Sequence, residues 1–579
     1  MTEYRTVIHN SKYTEWDFIP IDKSIQNIPI INPLEHKLFT KDIILYDHTT
    51  EIVKKIHSEV RTGIAYAGIL LLEQNKTFGR NNNNKRLLYK CIPDDNHLPA
   101  FLIPYEIKLG FQKKLKNKFV VFKYDHWNEQ HPHGILVETL GDIDQLPIFY
   151  EYQLYCKSLH ISITDFTNKT REQLKKRPEE EYIQQMIENP HFHIEDRRTT
   201  EPLIFSIDPV TSSDFDDAFS IQYNHETQQY KVSVYIANVY LWLETLQLWK
   251  SFSNRVSTIY LPDRKRPMLP TILSDSLCSL QEGHTRFAFV IDFHIGVIEN
   301  GSHPIVQKID YHHVAIKVHR NYRYEEHKLL YDNPQYNLLF ELTKKFDKNV
   351  TDSHDVVSHW MIKMNSYCGE YLAEKQIGIF RKANITKSLN IKDQLSNLDS
   401  DTKRVIEMWN NISGQYILYD KDLEIHHDIM KIKNYIHITS PIRRLVDLLN
   451  QFKMSVSLGL IENHSKDAEL FLEKWMENIE HLNVSMRSIR KIQTDCEVLH
   501  RFYTDSTIMF NTYSGVVFDK VQKNDHSFVY MVYLKELRLL SRFKTYHHEF
   551  ENYTSHNFKL YLFEQEHSMK KKIRVQIVL

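Results

Sequence analysis

Four aspartates crowd ten residues of this chain, in Ser206-Ile-Asp-Pro-Val-Thr-Ser-Ser-Asp-Phe-Asp-Asp-Ala-Phe219, a D-x5-D-x-D-D pattern. An apolar strand (Leu203, Ile204, Phe205) leads into it, and a second strand begins near Ala218. Two like charges about 4 Å apart repel by roughly 4 kcal/mol at an effective dielectric near 20. A fold that closes this loop therefore needs something cationic among Asp208, Asp214, Asp216 and Asp217. Oxygen donors with no His or Cys nearby suit Mg²⁺ or Mn²⁺ rather than zinc. Two such ions could activate a water and stabilise the leaving oxygen of a phosphodiester. The competing readings are a solvated turn and a calcium loop. The glycine and distant glutamate of an EF-hand are missing, which disfavours the latter.

The chain has 579 residues, 42% apolar and 25% charged, with a formal net charge of −1. That balance argues against a protein that coats duplex backbone. It leaves room for an enzyme that threads one strand through a local basic channel. Basic clusters such as 264–266 and 487–491 read first as solvated faces. Five scattered cysteines without a CxxC pair fit a reducing compartment. The N-terminus lacks a signal-peptide core, and no stretch reads as a membrane span. The expectation is a soluble, intracellular protein, in the cytoplasm or nucleus, with no membrane partner.

Residues 1–40, with prolines at 20, 29 and 33, read as an irregular lead-in. From 41 to 175, short β-type runs alternate with polar turns, as small barrels do. Arg80 to Arg86, with four asparagines in a row, reads as a loop tip. Residues 176–196 read as a connector. The block 197–505 mixes strands with helical patterns at 360–376 and 466–502. Strands return from about 510 as another small barrel.

The acid loop resembles the signature I-D-P-x-x-(S/A)-x-D-(F/M)-D-D-A of the RNase II (RNB) family. Three more segments are similar in the same order. They are Val234-Tyr-Ile-Ala-Asn-Val239, Tyr260-Leu-Pro-Asp-Arg-Lys-Arg-Pro-Met-Leu-Pro270 with the following Leu273–Leu280, and Tyr435-Ile-His-Ile-Thr-Ser-Pro-Ile-Arg-Arg444. Residues 120–142 resemble the second cold-shock barrel of the eukaryotic exosome's catalytic subunit, whose PIN domain is expected to be absent because too few residues precede the barrels. The resemblance implies a multidomain α/β and all-β fold. Two N-terminal OB-type cold-shock barrels (41–110 and 111–175) would precede a large α/β RNB catalytic domain (197–505) and a C-terminal S1 (OB) barrel (506–579).

It also implies a Mg²⁺-dependent (or Mn²⁺-dependent) hydrolytic enzyme. Single-stranded RNA would be degraded processively from its 3′ end to nucleoside 5′-monophosphates. Asp208, Asp214, Asp216 and Asp217 would hold two metals, with Asp216 the most sensitive. Arg443 would stabilise phosphate charge, Tyr260 would stack on a base, and Tyr324 and Arg444 would be further RNA contacts. Ser440 and Pro441 read as the cap and first turn of a helix carrying Arg443 and Arg444, where an anion would relieve the opposing dipole. Asn238, Leu445 and Gln493 depart from the family pattern. The alternative from another class is an inactive RNA-binding protein on the same fold.

Overall fold

The computed structural model describes the chain except residues 26, 82–84, 108–114, 200–201, 297–303, 383–397, 411–413, 422–425, 428–431, 524, 547, 566–569 and 579. Residues 82–84 of the expected asparagine loop tip lie outside the described residues.

The N-terminal region corrects the expected lead-in. Thr2–Ile8 alternates inward residues Tyr4, Thr6 and Ile8 with outward ones, the signature of a half-buried strand. It pairs with Trp16–Pro20 on one side and Ile43–Tyr46 on the other, and Val53–His57 completes a four-stranded antiparallel sheet. Pro20 ends its strand, and the other two prolines fall outside strands. A second sheet runs Phe101–Tyr105, Leu87–Pro93, Ala65–Leu70, Lys118–Tyr124, Gly134–Asp142. Its strands cross the expected boundary at residue 110, because Ala65–Leu70 pairs with the distant Lys118–Tyr124.

A seven-stranded sheet forms the middle of the molecule. Its spatial order is Ile194–Asp196, Ile305–Lys317, Thr285–Gly296, Gln229–Ala237, Asp217–Asn224, Phe205–Asp208, Arg320–Arg323. Both faces are buried. Val234 and Ile236 face a core built with Trp360 and Met364 of the helix Ser353–Glu374, while Tyr235 faces the opposite core. The helical pattern at 466–502 becomes two helices, Lys466–Glu477 and Ile479–Thr504, broken at Asn478. The chain closes with a five-stranded antiparallel sheet between Tyr513 and Val578. Among the described residues, no helix is long and apolar enough to cross a membrane.

Candidate active site

The acid loop leaves the strand Phe205–Asp208 and re-enters the sheet at Asp217, so both ends are fixed by strand pairing. Asp208 lies opposite Arg323 in a parallel pair, and Asp217 opposite Ile236 in an antiparallel one. Between them, the Asp216 carbonyl accepts the Ala237 N–H at 2.8 Å. The Phe215 N–H donates to Ser279 Oγ at 2.9 Å, and the Phe215 carbonyl accepts the Leu280 N–H at 3.0 Å. The segment 273–280 thus holds the loop from behind.

The four carboxylates divide into two kinds. Asp214 and Asp216 are engaged by cations. Asp214 Oδ1 accepts from Lys265 Nζ at 3.0 Å, and Asp214 Oδ2 from the Tyr260 hydroxyl at 3.3 Å. Asp216 is buried. Its Oδ1 accepts the Ile442 N–H at 3.0 Å and its Oδ2 the Arg443 Nε–H at 3.1 Å. Burial nevertheless pushes the Asp216 carboxyl up to about 7, against the opposing pull of Arg443 and the Ile442 N–H. Among the described residues, Asp208 and Asp217 have no direct cationic partner. Asp208 Oδ2 accepts the Ser206 hydroxyl at 2.7 Å, and burial pushes its carboxyl up to about 6 against that bond and the charges of Arg323 and Arg443. Asp217 Oδ2 is inaccessible and has no hydrogen-bond partner among the described residues. Burial, then the charges of Asp208 and Asp216, raise its pKa well above the carboxylate range.

The arginine turn differs from the expected helix start. The helix begins at Leu445, not after Ser440. Residues 441–443 form a turn, and Arg444 is extended (φ −136°, ψ 124°) in an isolated bridge with Ser257. Ser440 does not cap that helix and is engaged elsewhere. Its N–H donates to Asp447 Oδ1 at 2.7 Å, and its Oγ accepts from Arg443 Nη2 at 3.1 Å. Arg443 therefore approaches Asp216 from a turn, and 47% of its side chain stays exposed, enough to meet an incoming anion. Arg444 turns the other way and pairs with Asp447 at 2.8 Å.

Tyr260 stands at the rim, 42% exposed, with its N–H donating to Gln493 Oε1 at 3.3 Å. It opens onto a cleft of about 350 Å³ lined also by Glu497, Arg501 and Leu539. Tyr324 is anchored by its N–H to the Asp208 carbonyl at 3.1 Å, but its ring already stacks on His354 at 3.5 Å. Asn238, a departure from the family pattern, caps the helix Val239–Thr245 by accepting the Leu241 N–H at 3.3 Å. Sequence reasoning missed Lys265 and Asp275 as members of this constellation. The only signal was a lysine inside the Tyr260–Pro270 match and an aspartate just after it.

A divalent cation suits part of this donor set. The orphaned Asp217 Oδ2 and Asp208, which has a hydroxyl but no ion-pair partner among the described residues, are both raised by burial and are hard oxygen donors short of positive charge. Among the described residues, however, no three Asp, Glu, His or Cys side chains are already gathered as a cation-binding set. The four aspartates are neighbours around Arg443 and Lys265 rather than a finished cage.

Residues 196–337 and 298–455 match the RNB domain family, and residues 88–148 match the Dis3-like cold-shock domain 2. The chain is 24% identical over 491 residues to DIS3-like exonuclease 2 of Caenorhabditis elegans, covering 67% of this chain and 56% of that protein. It spans about half the length of the curated relatives it matches. Its fold is similar to that of Mycoplasma genitalium RNase R, solved with ribose-methylated single-stranded RNA (TM-score 0.67, 14% identity, 99% of this chain and 100% of that one). It is similar as well to yeast Ssd1, a pseudonuclease (TM-score 0.60, 14% identity, 94% of this chain and 78% of that one). The motifs, the cold-shock match and the buried acid loop facing an arginine turn agree: this chain carries an RNB domain over residues 196–455, preceded by a Dis3-like cold-shock domain.

Proposed function

We propose that the chain is a divalent-metal-dependent 3′→5′ exoribonuclease that degrades single-stranded RNA to nucleoside 5′-monophosphates. The observation that carries this reading is a set of buried carboxylates with too little positive charge, set beside an exposed guanidinium. Relatives named as exonucleases and the RNA-bound RNase R fold support it. Direction and product follow from the family resemblance.

Asp208 and Asp217 would hold Mg²⁺ or Mn²⁺. When bound, the ion supplies Lewis-acid polarisation of the phosphate and makes water a better nucleophile. Asp216 sets the Arg443 guanidinium, whose exposed edge would take the charge that builds on the phosphate oxygens. Tyr260 offers a ring face to a base, a contact indifferent to sequence and worth about 1–3 kcal/mol. Tyr324 would need His354 to move before stacking, or would act through the stacked pair. Arg444, committed to Asp447, would shape the turn more than touch RNA. The two-ion arrangement suggested by the acid loop would require Asp214 and Asp216 to leave their present partners.

The second reading, an inactive RNA binder, is favoured by one observation: Arg443 and Ile442 occupy both oxygens of Asp216. Digestion of 5′-labelled single-stranded RNA with Mg²⁺, and again with EDTA, separates the two. A ladder shrinking to a short end product, lost in EDTA, is expected. Bound but intact RNA in both tubes would favour the binder, and large internal fragments would indicate an endonuclease.

A further inference from the structure

We infer that Lys265 is a built-in cation of the acidic centre, holding Asp214 in place of a second divalent ion, so that the RNA-free protein takes one ion rather than two. The inference rests on the metal-dependent reading above. Lys265 begins the two-residue strand Lys265–Arg266, paired with Ile259–Tyr260, and Lys265 lies opposite Tyr260. Its ammonium has three protons to donate. All three are used: Ser213 Oγ at 2.7 Å, Asp214 Oδ1 at 3.0 Å and Asp275 Oδ1 at 3.0 Å. A surface lysine swinging in solvent does not reach this state, and only a quarter of this side chain is exposed.

The clamp has a stiff base. Asp275 accepts from Ser213 Oγ at 3.1 Å and from Ser274 Oγ at 2.5 Å, and its carbonyl accepts from Gln281 Nε2 at 2.5 Å. The Ser279 hydroxyl donates to the Ser213 carbonyl at 3.3 Å and accepts the Phe215 N–H at 2.9 Å, so the backbone on both sides of Asp214 is tied to the same segment. Lys265 is a positioning residue here, since its protons are spent on the protein and none is left for substrate. A dication drawn to Asp214 would have to displace this ammonium or sit against it. Like-charge repulsion then penalises the second ion, while Asp208 and Asp217, which are not among Lys265's three partners, keep their need for the first.

Equilibrium dialysis of the full chain with Mn²⁺, without RNA, reads the ion count directly. One ion per wild-type chain is expected. Lys265→Met should gain a second ion, its affinity rising at least tenfold, while Lys265→Arg should restore the count to one because charge is kept. Two ions in the wild type, or an unchanged count in a folded Lys265→Met variant, would overturn the inference. Should that variant fail to fold, Lys265→Gln, which also removes the charge, takes its place, and an unchanged count there overturns the inference. RNA hydrolysis measured on the same samples separates the two levels. A count of two with normal hydrolysis sinks the clamp alone, whereas hydrolysis with no bound ion sinks the metal-dependent reading and the clamp together.

Discussion

The central sheet buries aspartates in two places and treats them oppositely. On the strand Thr285–Gly296, Asp292 receives Arg197 Nη1 at 3.1 Å and Nη2 at 2.9 Å, Ser233 Oγ at 2.7 Å, and has Lys231 Nζ at 3.3 Å. Burial alone would raise its pKa. The Arg197 hydrogen bonds and charge, with Lys231 and Ser233, hold it below the usual carboxylate range. At the acid loop, Asp208, Asp216 and Asp217 are met by the Arg443 guanidinium, the Ile442 N–H and the Ser206 hydroxyl, with the charge of Arg323 also acting on Asp208, and burial wins. A buried charge that is fully satisfied serves the fold. One left unsatisfied costs stability and persists where a ligand can complete it. The contrast yields experiments that differ in kind at the two places.

The largest effect should come from Asp216→Asn. The amide keeps the shape but loses the charge that orients Arg443, so hydrolysis should fall at least about 10³-fold, equivalent to about 4 kcal/mol of barrier. RNA binding, measured by fluorescence anisotropy, should stay within about threefold, because a neutral residue at 216 leaves Tyr260 and its cleft intact. A variant that keeps most of its activity would break the contrast from the functional side.

Asp292→Ala tests the other side. Removing one member of a buried pair usually costs about 3–5 kcal/mol. The lower end, about 3 kcal/mol, is expected because Glu195 still accepts from Arg197 Nη2 at 2.8 Å. Urea unfolding measures that loss, and the hydrolysis rate well below the transition should be unchanged. Lost activity at full stability would show that the two aspartate sites are not distinct in role.

How visible each site was in the sequence follows from where its partners lie. The acid loop was legible because its chemistry is contiguous, and the two flanking apolar runs became strands whose pairing fixes Asp208 and Asp217. The Lys265 clamp was not, since Asp214 and Lys265 lie 51 positions apart and nothing local pairs them. Ser440-Pro441 reads as a helix start by propensity, but Ser440 is bonded to Asp447 and Arg443, residues 441–443 form a turn, and the helix starts only at Leu445. The N-terminal strands were hidden for a similar reason. Prolines at 20, 29 and 33 suggest irregularity, whereas Thr2–Ile8 finds its partner at Ile43–Tyr46. Tyr260 was placed by motif, and its neighbour Gln493 was seen only as a departure from the family.

Divalent ions should distinguish the two places next. With Mg²⁺ at a hundredfold excess over its dissociation constant, the wild type should gain about 2.7 kcal/mol. Asp217→Asn should gain far less, and Asp292→Ala should gain as much as the wild type. The thermal shift of each protein between Mg²⁺ and EDTA gives the answer. A melting temperature indifferent to Mg²⁺ in the wild type would remove the reason proposed for leaving Asp208 and Asp217 unpaired.

Acid gives the smallest effect, with opposite signs in different parts of the sheet. His313, on the strand Ile305–Lys317, is fully buried, with Nδ1 3.1 Å from the Phe192 carbonyl and Nε2 2.9 Å from Ser455 Oγ. Burial lowers its pKa from 6.5 to about 4, the Phe192 hydrogen bond opposing and nearby His193 adding to the shift. A base with a depressed folded pKa contributes stability above its unfolded value and loses it as pH falls toward the folded one. The loss should therefore open below about pH 6.5 and reach about 2 kcal/mol by pH 5. The raised carboxyls of Asp208 and Asp216 act in reverse, favouring the fold at low pH and ceasing to do so as pH climbs through about 6 to 7. Total stability in EDTA thus mixes both terms, and the difference between wild type and His313→Gln isolates one. Between pH 7.5 and 5 that difference should shrink by about 2 kcal/mol, because the variant has no imidazole to charge. A constant difference would mean that His313 accepts a proton in place, and that this buried group, unlike Asp292, is not held in a single charge state by the fold.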